Sequence, residues 1–169
     1  YYLSTIMDDY SRYIITWRLC TGMAASDVSA TLADALKVAG LSRKQRPRLL
    51  SDNGPCYVSS ELKGWLDDHG MGHTRGKPYH PMTQGKIERW HQTLKNRILL
   101  EHYYLPGDLR AHIESFVDHY NHRRYHESLK NLTPADVYFG RAESILRRRE
   151  VIKRRTFEKR RLQHARAAA

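Results

Sequence analysis

Asp52 closes the short apolar run Pro47-Arg48-Leu49-Leu50-Ser51, and Asn53-Gly54 follows at once. A run of that length reads as a buried strand, and Asn-Gly stops it in a turn. An acid is therefore left at a strand end. A second acid, Glu88, lies near the start of a helical run over residues 84–100, with 35 residues between the two. One carboxylate at a strand end and one on a helix can converge on a hard cation. Mg²⁺ takes oxygen ligands, commonly one or two carboxylates plus the phosphates of a substrate.

The rest of the chain supplies the framework. Residues 1–7 and 13–19 read as strands rich in β-branched and aromatic residues, joined by the turn Asp8-Asp9-Tyr10-Ser11 into an antiparallel hairpin. Residues 25–39 form a helix whose Val28, Leu32, Ala35 and Leu36 share a face, with Gly40 as its stop. A second helix is predicted over 59–69, capped by Ser59 or Ser60, and a short strand over 72–74. Gly76, Pro78 and Pro81 make residues 75–83 a loop, directly ahead of the helix that carries Glu88. A further helix covers 106–120, a short one runs from Thr133-Pro134 to Tyr138, and a basic one covers 143–163. Strand, strand, helix, strand, helix, strand and then helices is an α/β order.

Charge divides the chain. The net charge is +11, and residues 141–169 carry 11 Lys/Arg against three Glu, while residues 1–140 are nearly balanced at +3. We read 1–140 as the core and 141–169 as a basic helical tail of the kind that contacts nucleic acid. No apolar stretch approaches the ~20 residues of a membrane span, and no signal peptide is visible, so an intracellular, cytoplasmic protein is expected. Cys20 and Cys56, the two cysteines, form no CxxC and are expected to be free thiols. The chain begins Tyr1-Tyr2-Leu3, inside a strand, and is expected to be a piece of something longer.

In the helix after the loop, Ile87, Trp90, Leu94 and Ile98 recur at helical spacing and should face the core. Glu88, Gln92 and Lys95 then fall on a neighbouring face, with Gln84 one turn earlier. Packing through Trp90 would hold Glu88 rigidly, as a metal ligand requires. Tyr120, Asn121, Arg124 and His126 read as a hydrogen-bonded structural corner rather than a site.

Ser51-Asp52-Asn53-Gly54, Pro78-Tyr79-His80-Pro81 and Gly85-Lys86-Ile87-Glu88-Arg89 closely resemble the motifs of the retroviral-integrase-type core of bacterial insertion-sequence transposases. Downstream, Tyr120-Asn121, Arg124, His126, Leu129 and Thr133-Pro134 match the segment that ends this core, and residues 2–12 resemble the family's second and third strands. The resemblance covers about residues 1–140. It implies a ribonuclease-H-like mixed sheet flanked by helices and a DDE triad, whose last two acids carry over to Asp52 and Glu88 as catalytic metal ligands. The family's first acid lies on a strand ahead of the segment resembling residues 1–7. That strand is absent here, and these residues alone are expected to be inactive. Asp8 and Asp9 sit in the hairpin turn, where the family has acids outside the triad.

The implied activity is metal-dependent cleavage and joining of DNA strands at mobile-element ends, using two Mg²⁺ or Mn²⁺ ions in the complete enzyme. Carboxylates gathered without metal repel, so binding should favour neutral or higher pH. DNA contacts are expected from Lys86, Arg89, Gln92, Lys95, Tyr79 and His80, and from Arg148 and Arg155 of the tail. The implied partners are DNA and further copies of the chain, acting at the bacterial nucleoid. Two alternatives stay open: a non-catalytic DNA-binding or regulatory remnant, and a nuclease of the same fold.

Overall fold

The computed structural model describes residues 1–76, 84–98, 100 and 105–167. Strands β1 (Tyr2–Met7) and β2 (Ile14–Cys20) form the expected antiparallel hairpin, with a bulge between Ile6 and Met7. Its tight turn is held by Asp8, whose Oδ2 accepts from Ser11 N (2.8 Å) and Ser11 Oγ (2.5 Å). Helix α1 (Ala25–Ala39) follows and ends at Gly40 in the left-handed region, φ 62°, where a residue without Cβ is favoured. Strand β3 (Leu49–Ser51) pairs in parallel with β4 (His73–Arg75), connected through α2 (Pro55–Val58) and α3 (Ser60–Asp68).

Then come α4 (Gly85–Ile98), α5 (Pro106–His122), α6 (Pro134–Tyr138) and α7 (Ala142–Ala167). The helix expected over 59–69 is α3, capped by Ser59, and α2 is a further single turn just ahead of it that the sequence reading does not include. Ser59, in an extended conformation, separates α2 from α3 while its hydroxyl accepts from Leu62 N (3.1 Å). The proline that starts α2 follows the turn directly, so no polar gap marked it in the sequence.

The packing is layered, as an α/β fold requires. Val28, Leu32, Leu62, Leu66 and Met71 form one cluster beneath α1 and α3. Ile14, Trp90, Leu94, Ile113 and Tyr120 form the other, beneath α4 and α5. Strand β1 serves both: Ile6 packs on the first cluster, Leu3 and Met7 on the second. That division follows the two-residue period of a strand. Trp90 (1% exposed) and Leu94 (3%) are core residues as the helical spacing predicts. The strands, however, do not form one sheet. Among the described residues they form two pairs, β1–β2 and β3–β4, each bonded along one edge only.

Candidate active-site cleft

The two half-sheets face each other across a cleft of about 730 Å³. Residues 3–9 line one side and residues 47–52 the other, with Leu32 and Leu36 of α1 between them. Successive strand residues point to opposite faces. When odd and even residues alike border the same space, the strands meet it edge-on. The cleft is therefore a slot between two unpaired strand edges.

Asp52 and Glu88 both line this slot. Asp52 leaves the end of β3 in a turn, and its Oδ1 accepts from Gly54 N (2.8 Å), the self-bonded turn that Asp favours. The neighbouring backbone is tied down too. Asn53 Nδ2 donates to Gly76 O (2.8 Å), Gly76 N donates to Ser51 O (2.8 Å), and Ser51 Oγ contacts His73 Nε2 at 2.8 Å. Asp52 is thus exposed on a rigid strand end. Glu88 is exposed in the first turn of α4, and Trp90, two residues on, anchors that turn in the core.

Other groups border the same space. Gln84, Glu88 and His91 lie at i, i+4 and i+7 of one helix face and all line the cleft. The sequence pattern singles out Gln84 and Glu88; His91 lies at the same spacing but carries no motif that marks it. Burial lowers the His91 pKa, so its ring is neutral at physiological pH. Burial also pushes the Tyr57 phenol up to about 12, with Cys56 and Asp52 adding to it. Asp8 and Asp9 border the slot as well, but Asp8 holds the hairpin turn and Asp9 pairs with Lys86 (2.9 Å). Lys86 also donates to Asp9 O (2.7 Å), so this cation fastens α4 to the hairpin.

The remaining predicted contacts fall elsewhere. Arg89, Gln92 and Lys95 are exposed on α4 outside the cleft lining. Arg89 Nε donates to Gly85 O (2.8 Å), and Gln92 Nε2 donates to Asn96 Oδ1 (2.7 Å). Arg148 and Arg155 are exposed on α7. Tyr79 and His80 lie outside the described residues. The structural corner is present: Asn121 is buried, His126 N donates to Leu132 O (3.0 Å), and Arg124 lies over the Tyr120 ring at 5.7 Å.

As a cation site the cleft is partial. Among the described residues, no group of three or more His, Cys, Asp and Glu side chains is assembled for a metal. Two exposed carboxylates on rigid elements are still the donor chemistry that Mg²⁺ or Mn²⁺ accepts, with water and phosphate oxygens completing the shell.

The layered α/β fold is of the ribonuclease-H-like class, and the likeness to known proteins is specific within it. Two family models, both described as integrase core domain, match residues 1–81 and residues 69–134. The chain belongs to the integrase core family. It is 32% identical over 124 residues to the Gag-Pro-Pol polyprotein of mouse mammary tumor virus, across 71% of this chain and 7% of the polyprotein. It is 28% identical over 132 residues to an uncharacterized protein of insertion element IS476 from Xanthomonas euvesicatoria, across 78% of this chain and 37% of that protein. The chain thus spans well under half of either relative.

Among solved structures, the catalytic core domain of BIV integrase superposes with a TM-score of 0.61 at 22% identity, covering 85% of this chain and 89% of that one. The HTLV-2 integrase catalytic core, solved in complex with magnesium, gives 0.61 at 18% identity, covering 80% and 83%. These likenesses establish the fold.

Proposed function

We propose that the chain is the larger part of the catalytic core of a DDE transposase, a polynucleotidyl transferase that cleaves and joins DNA strands at the ends of a mobile element. The observation that carries this reading is that Asp52 and Glu88, far apart in sequence and on different elements, border one cleft. In this reading Asp52 and Glu88 hold Mg²⁺ or Mn²⁺, two ions in the complete enzyme. Held by these two carboxylates, the cations would supply activation of the attacking oxygen and stabilisation of the leaving one in an in-line displacement at phosphorus. The turn at Gly54 fixes the Asp52 carboxylate, and Trp90 fixes the turn that bears Glu88. Gln92, Lys95 and Arg89 position DNA along α4, with Lys86 at its start and Tyr79 and His80 ahead of it. Arg148 and Arg155 extend that contact along the tail.

In the longer protein that the family resemblance implies, the first acid arrives on a strand ahead of Tyr1. The slot supports this, because it offers a strand edge on each side. Unpartnered polar atoms support it as well: Thr5 Oγ1 and Gln84 Nε2 are buried without a hydrogen-bond partner, on residues that line the slot. A division near Gly140 between core and tail is supported by the family match ending at Pro134. Joining two DNA ends calls for more than one copy of the protein, working at the nucleoid of a bacterial cell. Among the described residues no helix is long and apolar enough to cross a membrane.

The test is strand cleavage and joining by a full-length version on pre-processed DNA ends with Mg²⁺. Asp52→Asn and Glu88→Gln should each abolish both steps while circular dichroism and DNA binding persist. Joining at the normal rate in either folded variant would remove that acid from the site. Cleavage without joining in the parent protein would make it a nuclease of the same fold. DNA binding with neither step would make it a regulatory remnant.

A further inference from the structure

Helix α7 is 26 residues long and none of its residues is buried. Its ten Lys/Arg and three Glu look evenly scattered in the sequence. Projection at about 100° per residue separates them into two faces. Arg147, Arg154 and Arg161 share a narrow back stripe with Glu143, Glu150 and Glu158, so their charges cancel. Every other cation lies on the opposite half. Arg148, Arg155 and Arg166 form one flank, Arg149, Lys153 and Arg160 the other, and Lys159 lies between. The whole net charge of the helix is thus on its front.

The line between the flanks is not charged throughout. Ile152, Thr156 and Gln163 fall along it, at spacings of four and seven residues. Ile152 is 54% exposed, an apolar side chain facing water. The helix root is fixed: Arg149 Nη1 donates to Lys130 O (3.1 Å), and its guanidinium lies over the Tyr125 ring at 6.0 Å. Residues 152–167 therefore project from an anchored base over about 24 Å at 1.5 Å per residue.

We infer that this projecting half of α7 is a major-groove helix for duplex DNA: its two cationic flanks meet the phosphates on either side, and Ile152, Thr156 and Gln163 face the base edges. This deepens the DNA-acting reading above and rests on it. The major groove of B-form DNA, about 12 Å wide, admits one helix. A helix lying there needs cations on both flanks, a reading line between them and a neutral back toward solvent. An amide reads adenine, and an apolar contact suits the thymine methyl. A lipid surface would require a broad apolar face in place of the cationic front.

The experiment compares two triple variants of the 169-residue chain that remove the same charge. The first changes the front, with Arg155→Ala, Lys159→Ala and Arg160→Ala. The second changes the back, with Arg147→Ala, Arg154→Ala and Arg161→Ala. Alanine keeps helix propensity, and circular dichroism verifies it. Fluorescence anisotropy with a DNA duplex of about two helical turns gives log K against log salt. The front triple should flatten that slope by about 2.7, at roughly 0.9 for each phosphate that is no longer neutralised. The back triple should leave it unchanged.

Equal slopes for the two variants would overturn the inference, as would equal affinity for an RNA duplex of the same sequence, whose deep, narrow groove excludes side chains. Selection from a random duplex pool should yield a preferred sequence for the parent chain. That preference should vanish in the Ile152→Ala, Thr156→Ala, Gln163→Ala triple while the salt slope stays. Retention of the preference would also overturn the inference. A chain cut after Gly140 that keeps the full slope would dismiss the tail alone, whereas a parent chain that binds no DNA would end the broader reading as well.

Discussion

At the scale of single residues, Asp52 depends on its neighbour Gly54. The backbone there is ordinary, at φ −57°, so the requirement for glycine is steric. A Cβ on Gly54 would lie 3.0 Å from Asp52 Oδ1, closer than comfortable contact, and the carboxylate would have to shift. Gly54→Ala in the full-length protein should therefore lower strand joining by roughly tenfold, within the ~100-fold range that small misplacements cost. The thermal midpoint should hardly move, and a joining assay beside a melting curve checks both. His126 supplies a second prediction. Burial first, then Arg124 and Arg12, lower its pKa from 6.5 to about 4. A depressed imidazole is neutral when folded but takes a proton when unfolded, so stability is whole above pH ~6.5 and declines toward pH ~4. NMR titration of the ring should show it uncharged at about pH 5, and a midpoint near 6.5 would refute this. Asp52 and Glu88 were visible in the sequence because a turn signal and a helical period mark them. His91 was as regular in spacing but carried no motif of its own. Lys86 is tied to Asp9, which no local pattern reveals.

At the scale of elements, strong caps made the boundaries legible. Thr133 Oγ1 accepts from Asp136 N (3.2 Å), and Thr133 N donates to Asp136 Oδ2 (3.3 Å), a reciprocal box at the start of α6. Thr133-Pro134 is legible as a helix start for this reason. Thr133→Ala should cost about 1 kcal/mol, measured by urea unfolding, and α6 should fray without loss of the core. Ser59 caps α3 as the sequence indicates, whereas α2 was not legible because its four residues are too few to show a helical period. Strand ends shifted by a residue here and there, since a strand is bounded by its partner's hydrogen bonds, which a single run of sequence does not contain.

At the scale of the whole molecule, the α/β order was readable and the divided sheet was not. A period-two pattern tells which faces of a strand are buried but is silent on which edges are paired. The two half-sheets make a prediction of their own. Hydrogen exchange in residues 2–7 and 49–51 should slow markedly in a longer version that carries the preceding strand, relative to the 169-residue chain. Unchanged exchange would mean that the strand docks elsewhere. The charge division between core and tail was also visible as a count, but the front and back of α7 emerge only once the helix is projected.

Asn121 carries one consequence of its own. From helix α5 its Oδ1 accepts from Ile14 N (2.9 Å) and its Nδ2 donates to Ile14 O (3.0 Å), copying with one amide the pair of bonds a neighbouring strand would make. The outer border of the hairpin is thereby occupied at its first residue, where stray pairing, the hazard of any open border, would otherwise begin. At Ile14 a further strand is turned away, which leaves the hairpin's other border, along β1, open beside the two acids.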